Sequence, residues 1–551
     1  MNIRRLFRNP LFLIVLTAML TSIVVQSGEL GSSDTSHRLQ AAHSFWTSEP
    51  EVFPEEYPEF GIHGRSGRLY GWYGVGQSLL MLPFDILGTY LERLPLFANY
   101  GRTDPTVRDI VVTYSTNTLI CVLVGLVCFR FVRLLSFSVS QSIASVLALL
   151  FCTTFLHYTQ NMMENNYIML LTLTGLTFQY EWLCTDRCHA LLIGCIALGA
   201  NLLTRLTTGM DLLAVSLFLL LTLWFSDTPG SALRSRFISY FRMALPVYVA
   251  FGLIERAYQY YRFGSFFSTY LQLLTNEHRK LNSALAPAYP FETPFRVGFL
   301  GPLITPEKSI FLFDPLLVLT VIIGVRAWKR FRPEIRAYFI TFVILLFAYI
   351  SLYAKYTDWS GDHAWGDRYV STAAQLVAFF SVPLLLRHRI NVGKALWRVG
   401  LALVVISVAV QLSSLVFWCP LEIYQMQTPG QGTFVIALRV KNILAYTLGR
   451  MSHWGLVNDS MQVDPWDYVH ITTLNFLPFL LRRVGQASGW LVTLLVAVWL
   501  TLLIALIVLL VFILKRAAGK EFGDATVPVL STGRRLHTAE NRDANATVIE
   551  K

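Results

Sequence analysis

The sequence predicts an all-α polytopic membrane protein that crosses the bilayer about twelve times and carries long outer loops with interfacial helices. Three observations predict it. Hydrophobic residues make up 54% of the 551 and charged residues only 14%, well under the usual quarter of a soluble domain. Mean hydropathy is +0.50, and separate apolar runs approach the roughly 20 residues a helix needs to cross a bilayer. Lys and Arg gather at alternate ends of those runs, as cytoplasmic loops require. This composition excludes a secreted disulfide scaffold, a disordered chain and a soluble Rossmann or TIM enzyme. The net charge of +11 and pI near 9.3 then report membrane topology, and no nucleic-acid partner is expected.

In chain order, apolar runs and their punctuation place spans at Pro10–Val25, Val111–Leu134, Gln141–Leu156, Tyr167–Leu183, Ala190–Leu203 and Gly209–Phe225. The second half continues with Met243–Ile254, Ser309–Ala327, Tyr338–Tyr353, Val370–Leu386, Trp397–Phe417 and Trp490–Leu514. The Ala190 and Met243 runs fall short of a full crossing, so they extend into polar flanks or sit in a thinned bilayer. Arg4, Arg5 and Arg8 precede the first span, Arg130 and Arg133 end the second, and Arg234, Arg236 and Arg242 precede the seventh. Arg326, Lys329, Arg330, Arg332 and Arg336 follow the eighth. Arg387, Arg389, Lys394 and Arg398 follow the tenth, and Lys515, Arg516 and Lys520 the last. The expectation is an integral protein of a bacterial inner or plasma membrane with both termini cytoplasmic. The first segment is read as an uncleaved anchor rather than a signal peptide, because no small-residue cleavage site follows Val25. The run Gln77 to Leu94, broken by Pro83, Asp85 and Gly88, is expected to lie in the outer interface.

Residues 1–390 are expected to form the catalytic transmembrane module, with a first outer loop over 26–110. Residues 391–514 would add C-terminal spans with an outer loop over 419–489, and 515–551 a disordered cytoplasmic tail. Four of the seven cysteines, Cys121, Cys128, Cys152 and Cys195, lie inside spans, Cys184 and Cys188 at an inner end, and Cys419 near the outer surface. No disulfide framework or zinc spacing follows. The Asn458 and Asn545 sequons are short enough to arise by chance. Neither a 20–50-residue repeat nor a P-loop is present.

Polar residues concentrate at or just beyond the outer span ends, whereas a transporter usually gathers them at mid-membrane on interrupted helices. An enzyme acting on a lipid headgroup needs the former, because the tail pins the reactive phosphate at the interface. Asp34, in Ser32-Ser33-Asp34-Thr35, reads as an acid at the start of an interfacial helix, with a simple N-cap as the structural alternative. The segment Gly64 to Pro83 sets Arg65 and Arg68 before Tyr70-Gly71-Trp72-Tyr73-Gly74-Val75-Gly76, suited to meeting phosphate or equally to an aromatic-belted hairpin. Glu164 lies between the third and fourth spans, where it is solvated by default but close enough for its neighbours to carry it toward Asp34. Arg205 occupies a tight outer turn, either snorkelling or holding phosphate. The densest cluster is Lys355 to Tyr369, with Trp359, Asp362, His363, Trp365, Asp367 and Arg368. Trp faces stack on sugar C–H surfaces and Arg holds phosphate through paired bonds. His363 with Asp362 or Asp367 is a weak set for a divalent cation, and no cofactor or obligatory metal is expected.

At these residues the chain resembles the polytopic GT-C glycosyltransferases, the superfamily of protein O-mannosyltransferases and lipid A aminoarabinose transferases, and most of all its bacterial branch. The resemblance runs over about residues 10 to 390. It rests on Asp34 in the first outer loop, the Tyr70 to Leu80 segment, the Arg205 turn, Phe263-Gly264-Ser265 with Tyr270, Thr305 to Phe311 leading to Pro315, and Trp359 to Tyr369. Two positions depart from the pattern: Trp72 stands where members often carry Lys, and Thr35 where a second acid often follows. The resemblance implies a GT-C-like fold and inverting transfer of a sugar from a polyprenyl-phosphate donor to an outer-face lipid, glycan or protein. Asp34 would be the general base; Arg65, Arg68, Arg205 and Arg368 would meet the donor phosphate. Tyr73, Glu164, Trp359, His363, Trp365 and Asp367 would bind sugar or acceptor. The competing readings are a twelve-span transporter or lipid flippase, and a surface-polysaccharide polymerase or ligase.

Overall fold

The computed structural model describes residues 7–97, 105–226, 229–362, 364–418, 420–426, 432–451, 470–483 and 488–518. These are overwhelmingly helical, and the strands described are the two-residue pair Ile62–His63 and Leu69–Tyr70, joined as an antiparallel hairpin. Six helices among the described residues are long and apolar enough to cross a membrane: Val107–Leu134, Leu206–Phe225, Gly230–Phe263, Pro333–Tyr353, Gly393–Ser414 and Gly489–Ala518. Five more, Pro10–Val25, Val139–Cys152, Cys188–Thr204, Phe295–Ile304 and Ser371–Arg387, are apolar but shorter. The chain is therefore an all-α membrane protein.

Helix ends differ from the sequence expectation where capping, not hydropathy, decides them. The second and third apolar helices start before the expected Val111 and Gln141, because Thr106 with Asp109 and Ser138 with Gln141 close capping boxes. The seventh run, expected as Met243–Ile254, is the centre of a 34-residue helix ending at Gly264 in the left-handed conformation. At 1.5 Å per residue it is about 50 Å long, so its charged ends reach well past the hydrocarbon. The eighth run, expected to be continuous over Ser309–Ala327, is broken into Ile310–Phe313 and Leu316–Ala327. Pro315 cannot donate to the ladder, and the buried Asp314 carboxylate instead accepts from the Thr154 N–H (2.8 Å) and hydroxyl (3.1 Å). The third run breaks at the same contact, into Val139–Cys152 and Phe155–Gln160. Asn165–Thr185 is long enough to cross but turns Thr172, Thr177, Gln179 and Glu181 inward, which lowers its hydropathy.

One large apolar core joins the helices from Leu13 to Ile513. One end of it is tied by Gln160, whose amide donates to the carbonyls of Val25 (2.9 Å), Leu415 (3.1 Å) and Asn475 (2.6 Å), three segments far apart in sequence. Ser33–Ser44 and Gly76–Glu92 form two helices in the first loop. Buried Asp85 pins them together, accepting from His43 (2.9 Å), Trp46 (2.8 Å) and Arg108 (2.5 Å). In the C-terminal part, Pro420–Met426 and Val435–Thr447 are locked by a fully buried Arg439–Glu422 pair with two parallel bonds of 2.7 and 2.5 Å. Trp454, Asp464 and Trp466, the notable residues of the expected 419–489 loop, lie outside the described residues, as do Cys419, both sequons and the tail from 519.

Candidate active site

The Ser33–Ser44 helix begins where Ser32 caps it, its hydroxyl accepting from the Thr35 N–H. Asp34 therefore sits in the first turn, where the helix dipole favours its charge. One turn on, Arg38 shares its face. Gly74 brings Tyr73 to this face: a Cβ there would fall 2.3 Å from the Leu203 carbonyl oxygen, so only glycine lets this segment lie against the end of the Cys188–Thr204 helix. The Tyr73 hydroxyl donates to one Asp34 oxygen at 2.6 Å, and the Arg38 guanidinium lies 4.2 Å from the Tyr73 ring centre.

Glu164 sits at the start of the Asn165–Thr185 helix and is 2% exposed. It pairs with Arg38 at 2.6 Å and with Arg205, which leaves the Cys188–Thr204 helix in extended conformation. Arg368 donates to the second Asp34 oxygen at 2.6 Å, while its carbonyl accepts from Asn165 at 2.6 Å. Gly361, at φ +73°, makes room for it: a Cβ there would lie 2.5 Å from Arg368 Cγ. Tyr369 closes one wall, with Arg205 and Arg368 at 5.4 and 5.3 Å from its ring centre and Tyr353 stacked on it at 4.2 Å.

Three arginines thus meet two carboxylates and leave one net positive charge. Burial alone raises the Asp34 carboxyl, but Arg368, then Arg38 and the Tyr73 hydrogen bond, outweigh it and hold it well below the usual carboxylate range. Burial likewise opposes ionisation of Glu164, and Arg205 with Arg38 overcomes it, bringing Glu164 down to about 2. Burial and the neighbouring Asp34 charge push the Tyr73 phenol up, so it stays a proton donor. Such a set can bind an anion, keep a carboxylate ionised and offer a hydroxyl to it.

Of the residues expected from sequence, Asp34, Tyr73, Glu164, Arg205 and Arg368 come together. Arg65 and Arg68 do not join them: they stand on the exposed tip of the hairpin, with Arg65 over Tyr260. Trp365 is 1% exposed and packs edge-on against Phe313 at 5.0 Å with Arg439 over its ring, a core residue rather than a sugar platform. Trp359 is half-buried against Gly301. Asp367 is buried, accepts from the Tyr369 N–H at 2.9 Å, and is raised by burial to about 7. His363 lies outside the described residues. Among the described residues no group of three His, Cys, Asp or Glu side chains is placed to hold a metal ion. Sequence reasoning missed Arg38, Tyr353 and Tyr369 as members of the site. For Arg38 the signal was its spacing of four from Asp34. No protein-family model and no curated protein matches the chain.

Proposed function

We propose that this protein is a membrane glycosyltransferase that moves a sugar from a polyprenyl-phosphate donor to an acceptor hydroxyl at the outer face, with inversion. The observation that carries the reading is the half-buried meeting of Asp34 with Arg368 beside the Arg205–Glu164–Arg38 array. It offers an accessible carboxylate next to an anion-binding set, near the ends of apolar helices. In the step, the acceptor oxygen bonds to the anomeric carbon and its proton passes to Asp34. The bond from that carbon to the phosphate oxygen breaks, and the electron pair leaves on polyprenyl phosphate. Arg205 and Arg368 stabilise the charge that grows there, with Arg38 behind them. Tyr73 orients Asp34, and the half-buried Trp359 is offered to the sugar or acceptor. The orientation proposed with this function puts both termini in the cytoplasm of a bacterial inner or plasma membrane.

A second reading, transport or lipid flipping, draws on Asp211, a fully buried carboxylate within an apolar helix that accepts from Thr172 and Tyr349, each at 3.1 Å. Mass spectrometry of lipids that co-purify with the detergent-extracted protein separates the two. Enrichment of a polyprenyl phosphate or its sugar ester in wild type, lost in Arg368→Ala, is the expected result. Only bulk phospholipid in both samples counts against the transferase and makes a substrate-uptake assay the next step.

A further inference from the structure

We propose that Lys308 positions Arg368: its ammonium gathers the loop that leads to this arginine and so sets where the guanidinium meets the donor phosphate. The inference rests on the transferase reading and deepens it, adding a residue that acts through another rather than on the substrate.

Lys308 is 5% exposed, a setting a lysine tolerates only when its charge is well partnered. An ammonium carries three donors, and this one donates to three backbone carbonyls, those of Asp362 (2.6 Å), Ala364 (2.9 Å) and Gly366 (3.2 Å). The Trp365 carbonyl accepts from the buried Tyr158 hydroxyl at 3.4 Å. Side chains from two distant segments thus take carbonyls that a helix or strand would pair with its own backbone. The loop needs that outside support. Asp362 stands at φ +54°, with Gly361 at +73° before it and Gly366 at +74° after it, and this left-handed region is unfavourable for a residue with a Cβ.

The anchor is itself fixed. Ser309, next to Lys308, donates its hydroxyl to the Leu303 carbonyl at 2.8 Å and its N–H to the Thr305 carbonyl at 2.9 Å, and Ile310 belongs to the main core. At the far end of the loop, Gly366 is followed by Asp367 and Arg368. Gly361 folds back on that arginine, since a Cβ there would lie 2.5 Å from Arg368 Cγ and 3.1 Å from its backbone nitrogen. The chain that Lys308 gathers therefore both precedes Arg368 and packs along its stem, while the guanidinium donates to Asp34 at 2.6 Å. Asn165 holds the Arg368 carbonyl, so loss of Lys308 shifts the stem rather than releasing the whole residue.

The test compares wild type with Lys308→Met, full-length and in detergent, by amide hydrogen exchange and by binding of farnesyl phosphate, with farnesol as the uncharged control. Exchange should rise over 361–369 and stay unchanged in the Ser371–Phe379 helix. Farnesyl phosphate should bind about tenfold more weakly, with farnesol unaffected. Because Lys308 acts through Arg368, adding Lys308→Met to Arg368→Gln should cost no more than about twofold further. A loss of the same size in the Arg368→Gln protein would mean long-range charge rather than positioning, and would overturn the proposal. So would unchanged exchange in the loop, or faster exchange with unchanged farnesyl phosphate affinity while Arg368→Gln weakens it. If Arg368→Gln itself leaves that affinity unchanged, the transferase reading loses its anion site and the role of Lys308 falls with it. Lys308→Gln, which keeps two donors, is the second variant should the methionine protein fail to melt cooperatively, and its loss should be the smaller one.

Discussion

Glu164 and Arg205 give the most quantitative handle on the site. Glu164 is 2% exposed and is held ionised by two arginines, so removing one leaves a buried charge with half its compensation. Its carboxyl is lowered from 4.5 to about 2, which by linkage is worth about 3 kcal/mol at neutral pH. Breaking a buried pair from one side costs about 3–5 kcal/mol, so the two routes agree in scale. Arg205 supplies the larger lowering and Arg38 the rest, which puts Arg205→Gln at about 2–3 kcal/mol. Glu164→Gln should cost at least as much, because it takes the carboxylate from both Arg205 and Arg38, and the Arg38 side chain is only 5% exposed. The double variant should lie close to the milder single one, a coupling of at least about 1 kcal/mol. Because the folded carboxyl is lowered, its contribution is complete above about pH 4.5 and is lost as pH falls toward 2. Melting of the detergent-solubilised proteins at pH 7 and pH 4, arranged as a double-mutant cycle, measures this. Additive losses would refute the reasoning.

Three further outcomes are expected. Asp34→Asn should lower sugar transfer by about 100- to 10,000-fold while the protein still melts cooperatively; near-normal transfer would remove Asp34 from the chemistry. Gly361→Ala should strain a residue at φ +73° by about 1–2 kcal/mol and push the Arg368 stem aside, weakening farnesyl phosphate binding; unchanged affinity would show that Arg368 does not depend on this turn. Asp367 is raised to about 7, so its burial favours the protonated form and wild-type stability falls as pH rises from about 4 to 7. Asp367→Asn should therefore gain on wild type across that window and hold its gain above it, and a melting difference that stays flat with pH would contradict the assignment.

The helices were largely legible because long apolar runs mark segments suited to a bilayer. Their ends were less so: Thr106 and Ser138 cap helices several residues before hydropathy rises, and Asp314 breaks one by accepting from Thr154, a contact 160 residues away. The site was legible where a charged residue stands alone near the end of an apolar run, as Glu164 and Arg205 do, or where polar residues crowd one, as around Arg368. Arg38 was missed because an arginine in a polar helix reads as exposed until a buried partner is known, and Glu164 lies 126 residues further along. Trp365 misled for the opposite reason. A tryptophan in a polar loop suggests a sugar platform, yet Phe313 and Arg439, both distant in sequence, enclose it.

The two carboxylates divide the work by exposure rather than by identity. Glu164 cannot change partners without leaving a charge in a nearly dry setting, so it serves as the fixed counterion that allows Arg38 and Arg205 to lie side by side. With Glu164 fixed, the remaining positive charge of the site falls at Arg368, the arginine whose carboxylate partner is part-exposed. An incoming anion is therefore drawn to Arg368, next to the carboxylate proposed as the base. Exchanging the two acids by placing Glu at 34 and Asp at 164 would shorten the buried anchor and lengthen the part-exposed acid. Loss of activity in that swap, despite an unchanged total charge, is what this division of roles requires.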